Sequence, residues 1–227
     1  MSFDISKYHF LSSKILADVP TVFKKELDSI STSKFMKKGT VVYKENSVAK
    51  DAYFIKKGKV KIEQINENGV TRIVYIYTAG EYFGFRPLFS GEKNPVTAIT
   101  LEDSELVAYS GKKFIELAHL SPELSLNIVR LLAWEFNVWI NLITSLSYKS
   151  TKERVALILL ILNEKYKTNG IEPTKITATK IDIAKYAETT QETVVRILTQ
   201  LSDLSIIKNE GRGFFLNSPE FLEKWVE

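Results

Sequence analysis

The stretch Thr179–Leu216, TKIDIAKYAETTQETVVRILTQLSDLSIIKNEGRGFFL, constrains this chain more than any other. Thr179 followed three residues on by Asp182 resembles a capping box with Asp in place of Glu, and Ile183, Ala184 and Ala187 then supply one small apolar face. A break follows at Glu188-Thr189. Thr189 and Glu192 repeat the T-x-x-E spacing, which predicts a second helix starting there. Its apolar set, Val194, Ile197, Leu198 and Leu201, falls at i, i+3, i+4 and i+7, a single buried stripe. Gln191, Glu192, Arg196, Thr199 and Gln200 occupy the opposite face. SIIKNEGRGFFL then reads as two short strands around a Gly211-Arg212-Gly213 turn.

Two short helices and a hairpin make a winged helix-turn-helix, whose second helix enters the DNA major groove. Arg bonds guanine bidentately and Glu accepts from a cytosine amino group, so Glu192 and Arg196, on the exposed face with Gln191, suit base reading. Thr189, Thr190 and Thr193, at the helix N-terminus, suit phosphates. Thr179 and Lys180 on the first helix and Lys208 and Arg212 in the hairpin complete the expected phosphate contacts. The turn between such helices usually carries Gly, and Glu188 stands there instead, so a non-Gly residue at positive φ is expected. The bland reading of Glu192 and Arg196 is a surface i,i+4 ion pair.

These residues resemble the DNA-binding domain of the cyclic-AMP receptor protein/Fnr (Crp/Fnr) family of bacterial regulators. Gln191-Glu192-Thr193-Val194-Val195-Arg196-Ile197-Leu198 follows that family's pattern [R/V]-E-T-[V/I]-x-R-[I/L]-L. The resemblance places the base-reading Glu and Arg on Glu192 and Arg196, and the position that varies between subfamilies on Gln191.

Upstream, residues 1–34 read as helical, with Leu16, Val19, Val22, Phe23, Leu27 and Ile30 as apolar contacts and Pro20 opening a helix over 20–30. From Phe35 the period becomes two. Strand-like runs cover Thr40–Tyr43, Ala52–Ile55, Lys59–Ile65, Thr71–Tyr77, Val96–Leu101 and Glu105–Ser110, separated by glycines. Asn68-Gly69 is a type I′ hairpin signal, which needs positive φ at both residues. Such a pattern predicts an antiparallel jelly roll. The fold class is therefore α+β: an N-terminal β-roll over 1–120, a long helix and hinge over 121–149, and the winged helix-turn-helix over 150–227.

The roll is similar to the family's cyclic-nucleotide-binding fold through Lys38-Gly39-Thr40, Tyr53–Val60, Gly80-Glu81-Tyr82-Phe83-Gly84 and Leu88-Phe89. The resemblance puts an effector pocket at Phe83, Gly84, Phe85, Arg86 and Thr97. Members that bind cyclic AMP carry a Glu where Phe85 stands and an Arg-Ser or Arg-Thr pair where Asn94-Pro95-Val96-Thr97 lies. Cyclic AMP is therefore not expected as the effector. The domain either takes an effector of unknown identity or is filled by its own side chains.

Ser121-Pro122-Glu123 opens a helix reaching about Tyr148 with apolar residues all round, so it is buried on two sides. Ile128, Leu132, Phe136, Trp139, Ile143 and Leu146 form one candidate coiled-coil seam, and Leu124, Leu131, Val138 and Leu142 another. The resemblance implies that one faces a partner copy in a homodimer; the residues leave open which. Glu153–Tyr166 predicts a further helix, Lys167–Lys175 an exposed loop that in family members can touch RNA polymerase, and Ser218-Pro219 a final one.

The 227 residues include no Cys, which removes disulfides, zinc thiolates and cysteine-held iron–sulfur clusters. Neither His9 nor His119 sits in an acid–base or metal spacing, so no enzyme, metal or cofactor is expected. No stretch of 18 apolar residues and no signal peptide is present, so a cytoplasmic protein off the membrane is the expectation. From 150 onward, eleven Lys and Arg balance eleven Asp and Glu, so net charge lends DNA binding no support. The reading that uses every part of the chain is a dimeric DNA-binding regulator. The alternative is a cyclic-nucleotide-type sensor module that controls a protein partner.

Overall fold

The computed structural model describes residues 3–29, 31–167 and 174–227. By compactness the chain divides into Phe10–Phe136 and a second unit made of 3–9 with Asn137–Glu227. That division cuts between 136 and 137 and groups the first residues with the C-terminal part, whereas the sequence sets boundaries at 120 and 149. Phe3 N donates to Glu227 Oε1 (3.1 Å), Asn141 Nδ2 to Lys7 O (3.1 Å), and the Tyr8 and Ser145 hydroxyls bond at 3.0 Å.

The first unit is the expected roll, with α1 (Thr21–Ser29) ahead of it. Two four-stranded antiparallel sheets face each other. One has the order β1 (Ser31–Met36), β8 (Ser104–Ser110), β3 (Asp51–Lys57), β6 (Tyr82–Phe83). The other runs β2 (Val41–Tyr43), β7 (Thr97–Thr100), β4 (Lys59–Ile65), β5 (Thr71–Thr78). Between β6 and β7 lies the short α2 (Arg86–Ser90), and α3 (Gly111–Leu120) follows β8. Phe85, Tyr82, Tyr109 and Phe114 share a core with Ile15, Leu27, Leu124 and Ile128.

Three expectations fail here. Residues 1–34 are not one helical region: 3₁₀ turns at Ile5–Tyr8 and Ser12–Lys14 precede α1, and Ser31–Met36 is an edge strand paired with β8. Its Thr32 and Phe35 suit a pleated surface, and pairing with β8 decides. Val22 is exposed rather than an apolar contact, and Ile30 lies outside the described residues. The β4–β5 connection is no type I′ turn. Five residues, 66–70, link the strands, and only Gly69 has positive φ. Asn66 stabilises this loop by accepting from the amides of Asn68 (3.0 Å) and Val70 (2.9 Å), an Asx-type closure.

The long helix α4 (Pro122–Tyr148) starts at Ser121, whose Oγ accepts from Leu124 N. In the second unit, α5 (Thr151–Tyr166) opens with a full capping box between Ser150 and Glu153. β9 (Lys175–Ile176), α6 (Lys180–Tyr186), α7 (Gln191–Asp203), β10 (Ile207–Glu210), β11 (Gly213–Leu216) and α8 (Pro219–Val226) follow. The three strands form one antiparallel sheet ordered β10-β11-β9. The RNA polymerase loop expected at 167–175 has 168–173 outside the described residues.

Candidate nucleic-acid interface and effector pocket

The helix-turn-helix is assembled by its caps. Thr179 Oγ1 accepts from Asp182 N (3.1 Å) and donates to the Asp182 carboxylate (2.6 Å), starting α6. The second cap is one residue later than the T-x-x-E spacing implies. Thr190, not Thr189, is extended (φ −88°, ψ 155°) and accepts from Thr193 N (3.2 Å). Thr189 stays in the turn, its amide bound to Ala184 O (3.0 Å). Glu188 takes φ +50°, the left-handed conformation expected of it.

Val194, Ile197, Leu198 and Leu201 are buried, which fixes the rotation of α7 and leaves Gln191, Glu192, Val195, Arg196, Thr199 and Gln200 outward. Glu192 and Arg196 do not pair with one another among the described residues, so the ion-pair reading is not realised. The carboxyl of Glu192 is held below its ordinary value by its own amide, then by the Thr190 hydroxyl, and stays an ionised acceptor. Lys180, Thr190, Lys208 and Arg212 are exposed and Thr193 half-buried. Arg212 lies at the tip of the β10–β11 hairpin, where Glu210 pairs with Gly213. Gly211 supplies φ +56°. Gly213 is needed for room, since a Cβ there would lie 2.5 Å from Ile176 O on β9.

Arg154 on α5 was not singled out in the sequence, where it is one more polar residue on an amphipathic helix. Its Nε donates to Ala187 O (2.9 Å), Nη2 to Glu188 O (3.1 Å) and Nη1 to Lys149 O (3.1 Å).

The effector residues named from the sequence are, Thr97 apart, packed among aromatic side chains. Phe83 is fully buried, stacked at 5.2 Å on Tyr53 and 5.5 Å on Tyr77, and Phe85 is 1% exposed in the core. Phe10, Tyr75, Tyr77, Phe83, Tyr53 and Tyr43 form a continuous series of ring contacts. A cavity lined by Tyr43, Gly84, Phe85, Arg86, Pro95 and Val96 among others measures about 40 Å³. Small-molecule sites run to roughly 300–1,000 Å³, and 40 Å³ holds a few waters at most. Thr97 is elsewhere: it bonds Glu45 N (3.0 Å) and lines a separate surface depression with Val41 and Ile65. The register explains this, because Phe85 and Arg86 follow β6 whereas Thr97 opens β7 in the other sheet.

Arg86 does point inward. Its Nε donates to Glu135 Oε2 (2.6 Å) and Nη2 to the Tyr77 hydroxyl (3.0 Å), with Phe10 beneath the guanidinium. Burial raises the Glu135 carboxyl above its ordinary value in spite of Arg86, and burial lifts Tyr77 well above its own.

On α4, Leu124, Leu131, Val138 and Leu142 face inward. The other seam is only partly open. Ile128 is buried in the roll core, Trp139 and Leu146 are half-buried, and Leu132, Phe136 and Ile143 are exposed. The uncovered stripe is instead Leu126, Val129, Ala133, Phe136, Ile140 and Ile143, an alternating 3-4 repeat. The sequence could not separate these registers because apolar side chains surround the helix.

No cluster of metal-ligating side chains occurs among the described residues, and no described helix is long and apolar enough to cross a membrane.

Residues 33–120 match the cyclic nucleotide-binding domain model and residues 153–225 the Crp-like helix-turn-helix domain model. The fumarate and nitrate reduction regulatory protein of Vibrio cholerae serotype O1 is 29% identical over 210 residues, covering 89% of this chain and 84% of that one. Among solved structures, FixK2 from Bradyrhizobium japonicum superimposes with a TM-score of 0.78 at 22% identity, covering 87% of this chain and 98% of that one. A CRP/FNR-family transcriptional regulator from Thermus thermophilus gives 0.69 at 23%, covering 86% and 98%.

Proposed function

The chain belongs to the Crp/Fnr family of DNA-binding transcription regulators, and from that premise we propose that it acts as a homodimer on an inverted-repeat operator. The observation that carries the proposal is the outward face of α7: Gln191, Glu192 and Arg196 are exposed, and the two charges are not spent on each other. In this reading they read base edges, while Thr179, Lys180, Thr189, Thr190, Thr193, Lys208 and Arg212 position the domain on phosphates. The open stripe on α4 supports self-association, with residues 121–149 as dimer helix and hinge between a sensor roll (1–120) and the DNA-binding domain (150–227). A sensor module controlling only a protein partner leaves the α7 face without a use.

Cyclic AMP is not the effector in this reading. Phe85 lies in the core, Pro95 and Val96 offer no cation, and Arg86 is committed to Glu135. The ring-filled roll supports a sensor held in shape by its own side chains. With no Cys, a thiolate-held iron–sulfur cluster has no ligands either. The family assignment suggests RNA polymerase as a further partner and the cytoplasm as the compartment.

Selection of bound DNA from a random library, using protein purified without added ligand, tests the proposal. An inverted repeat with half-sites about one helical turn apart is expected. Recovery of no enriched sequence overturns it.

A further inference from the structure

Arg154 sits where two helix ends meet. A helix leaves its last carbonyls without intrahelical partners, and a cation there also meets the negative end of the helix dipole. Lys149, just past the end of α4, and Ala187, the C-cap of α6, both offer such carbonyls. One guanidinium serves both: Nη1 donates to Lys149 O (3.1 Å) and Nε to Ala187 O (2.9 Å). Nη2 reaches Glu188 O (3.1 Å) and the Thr151 hydroxyl (3.4 Å). The planar fork is needed here, because one ammonium cannot point along all these directions at once.

The bonded groups define two joints. Lys149 lies in the hinge that joins α4 to α5. Ala187 and Glu188 lie in the turn that joins α6 to α7, and Glu188 holds φ +50° there, a conformation a non-Gly residue adopts at a cost. A donor on the Glu188 carbonyl keeps that peptide in one orientation. Fixing it fixes the exit of the chain toward Thr190 and the angle of α7.

We infer that Arg154 is a positioning residue for sequence reading: it locks the α6–α7 turn to the α4–α5 hinge, and so sets how Gln191, Glu192 and Arg196 are presented to DNA. Arg154 itself reads no base. Its loss weakens the operator complex, where base edges demand an accurate helix angle. Non-operator binding is mostly phosphate charge and tolerates a tilted helix. The same link makes the hinge conformation a control on operator affinity.

The inference rests on α7 being the reading helix, so its test carries Arg196→Ala as a control. Affinity for selected operator and for a scrambled duplex is measured at one salt concentration at about 20 °C, with folding checked by circular dichroism and thermal unfolding. Arg154→Gln is expected to lose at least about tenfold on operator and no more than about twofold on scrambled DNA. Arg154→Lys keeps charge and stem, folds, and loses an intermediate amount; it carries the test should the Gln variant not fold. A purely stabilising role would lower the melting temperature and leave the operator-to-scrambled ratio unchanged below it. If folded Arg154 variants stay within twofold on operator while Arg196→Ala loses base preference, the Arg154 inference is wrong and the reading of α7 stands. If Arg196→Ala keeps full base preference, both fall.

Discussion

Arg86 on α2 and Glu135 on α4 form a buried ion pair, Nε to Oε2 at 2.6 Å, with 2% of the Glu135 side chain exposed. The pair ties α2 to the long helix. Removing one partner of a buried pair strands the other charge, whereas replacing both with apolar groups of similar volume is often neutral. Glu135→Ala is therefore expected to cost about 2–3 kcal/mol, less than a fully dry pair because 35% of the Arg86 side chain meets solvent. Arg86→Met with Glu135→Leu should recover most of it. Urea denaturation of the three proteins checks this, and a double variant no better than Glu135→Ala refutes it.

Cyclic AMP and cyclic GMP should give no heat of binding at micromolar concentrations in calorimetric titration. The 40 Å³ cavity cannot take a nucleotide without moving Tyr43 or Tyr77, two lining rings that both pack on Phe83. Micromolar binding of either would mean that the roll opens.

Phe136 is 64% exposed and Ile140 47%, so a carboxylate at either position meets water in a single chain but is desolvated in a packed seam. Phe136→Glu and Ile140→Glu should fold with unchanged circular dichroism, run as monomers in light scattering at micromolar concentration, and bind operator weakly. A variant that remains dimeric places the interface elsewhere.

Arg196→Ala should lose about 1–3 kcal/mol on operator and blur preference at one G·C pair. Lys208→Ala and Arg212→Ala, on the exposed hairpin, should instead weaken all duplexes evenly and lower the salt slope by about one. Quantitative gel shifts across a salt series distinguish the two behaviours.

His9, packed in the C-terminal unit, is kept neutral by burial, with Lys165 and Lys167 adding to it, and its pKa falls from 6.5 to about 3. The unfolded chain takes up that proton below about pH 6.5 and the folded one does not. Stability is thus full above that pH and declines as pH falls toward 3. Between about pH 7 and 5 the loss is expected to be about 1–2 kcal/mol. Thermal unfolding of His9→Gln should show a flatter pH dependence over the same interval; an identical slope would count against it.

Features that repeat at short spacing were legible in the chain. The i, i+3, i+4, i+7 stripe of α7, the Ser121-Pro122 start of α4 and the period-two runs of the roll all depend on neighbours within a turn or a pleat. So did the family pattern through Arg196. Where two local solutions were nearly equal, only tertiary packing chose. Apolar residues circle α4, and the roll took Ile128, which moved the open stripe to Leu126, Val129, Phe136, Ile140 and Ile143. The contacts of Arg86 with Glu135 and of Arg154 with Ala187 and Glu188 join residues 33 to 49 apart, separations no local pattern encodes. A charged side chain announces its type in the sequence, but its partner is set by which elements the core brings together.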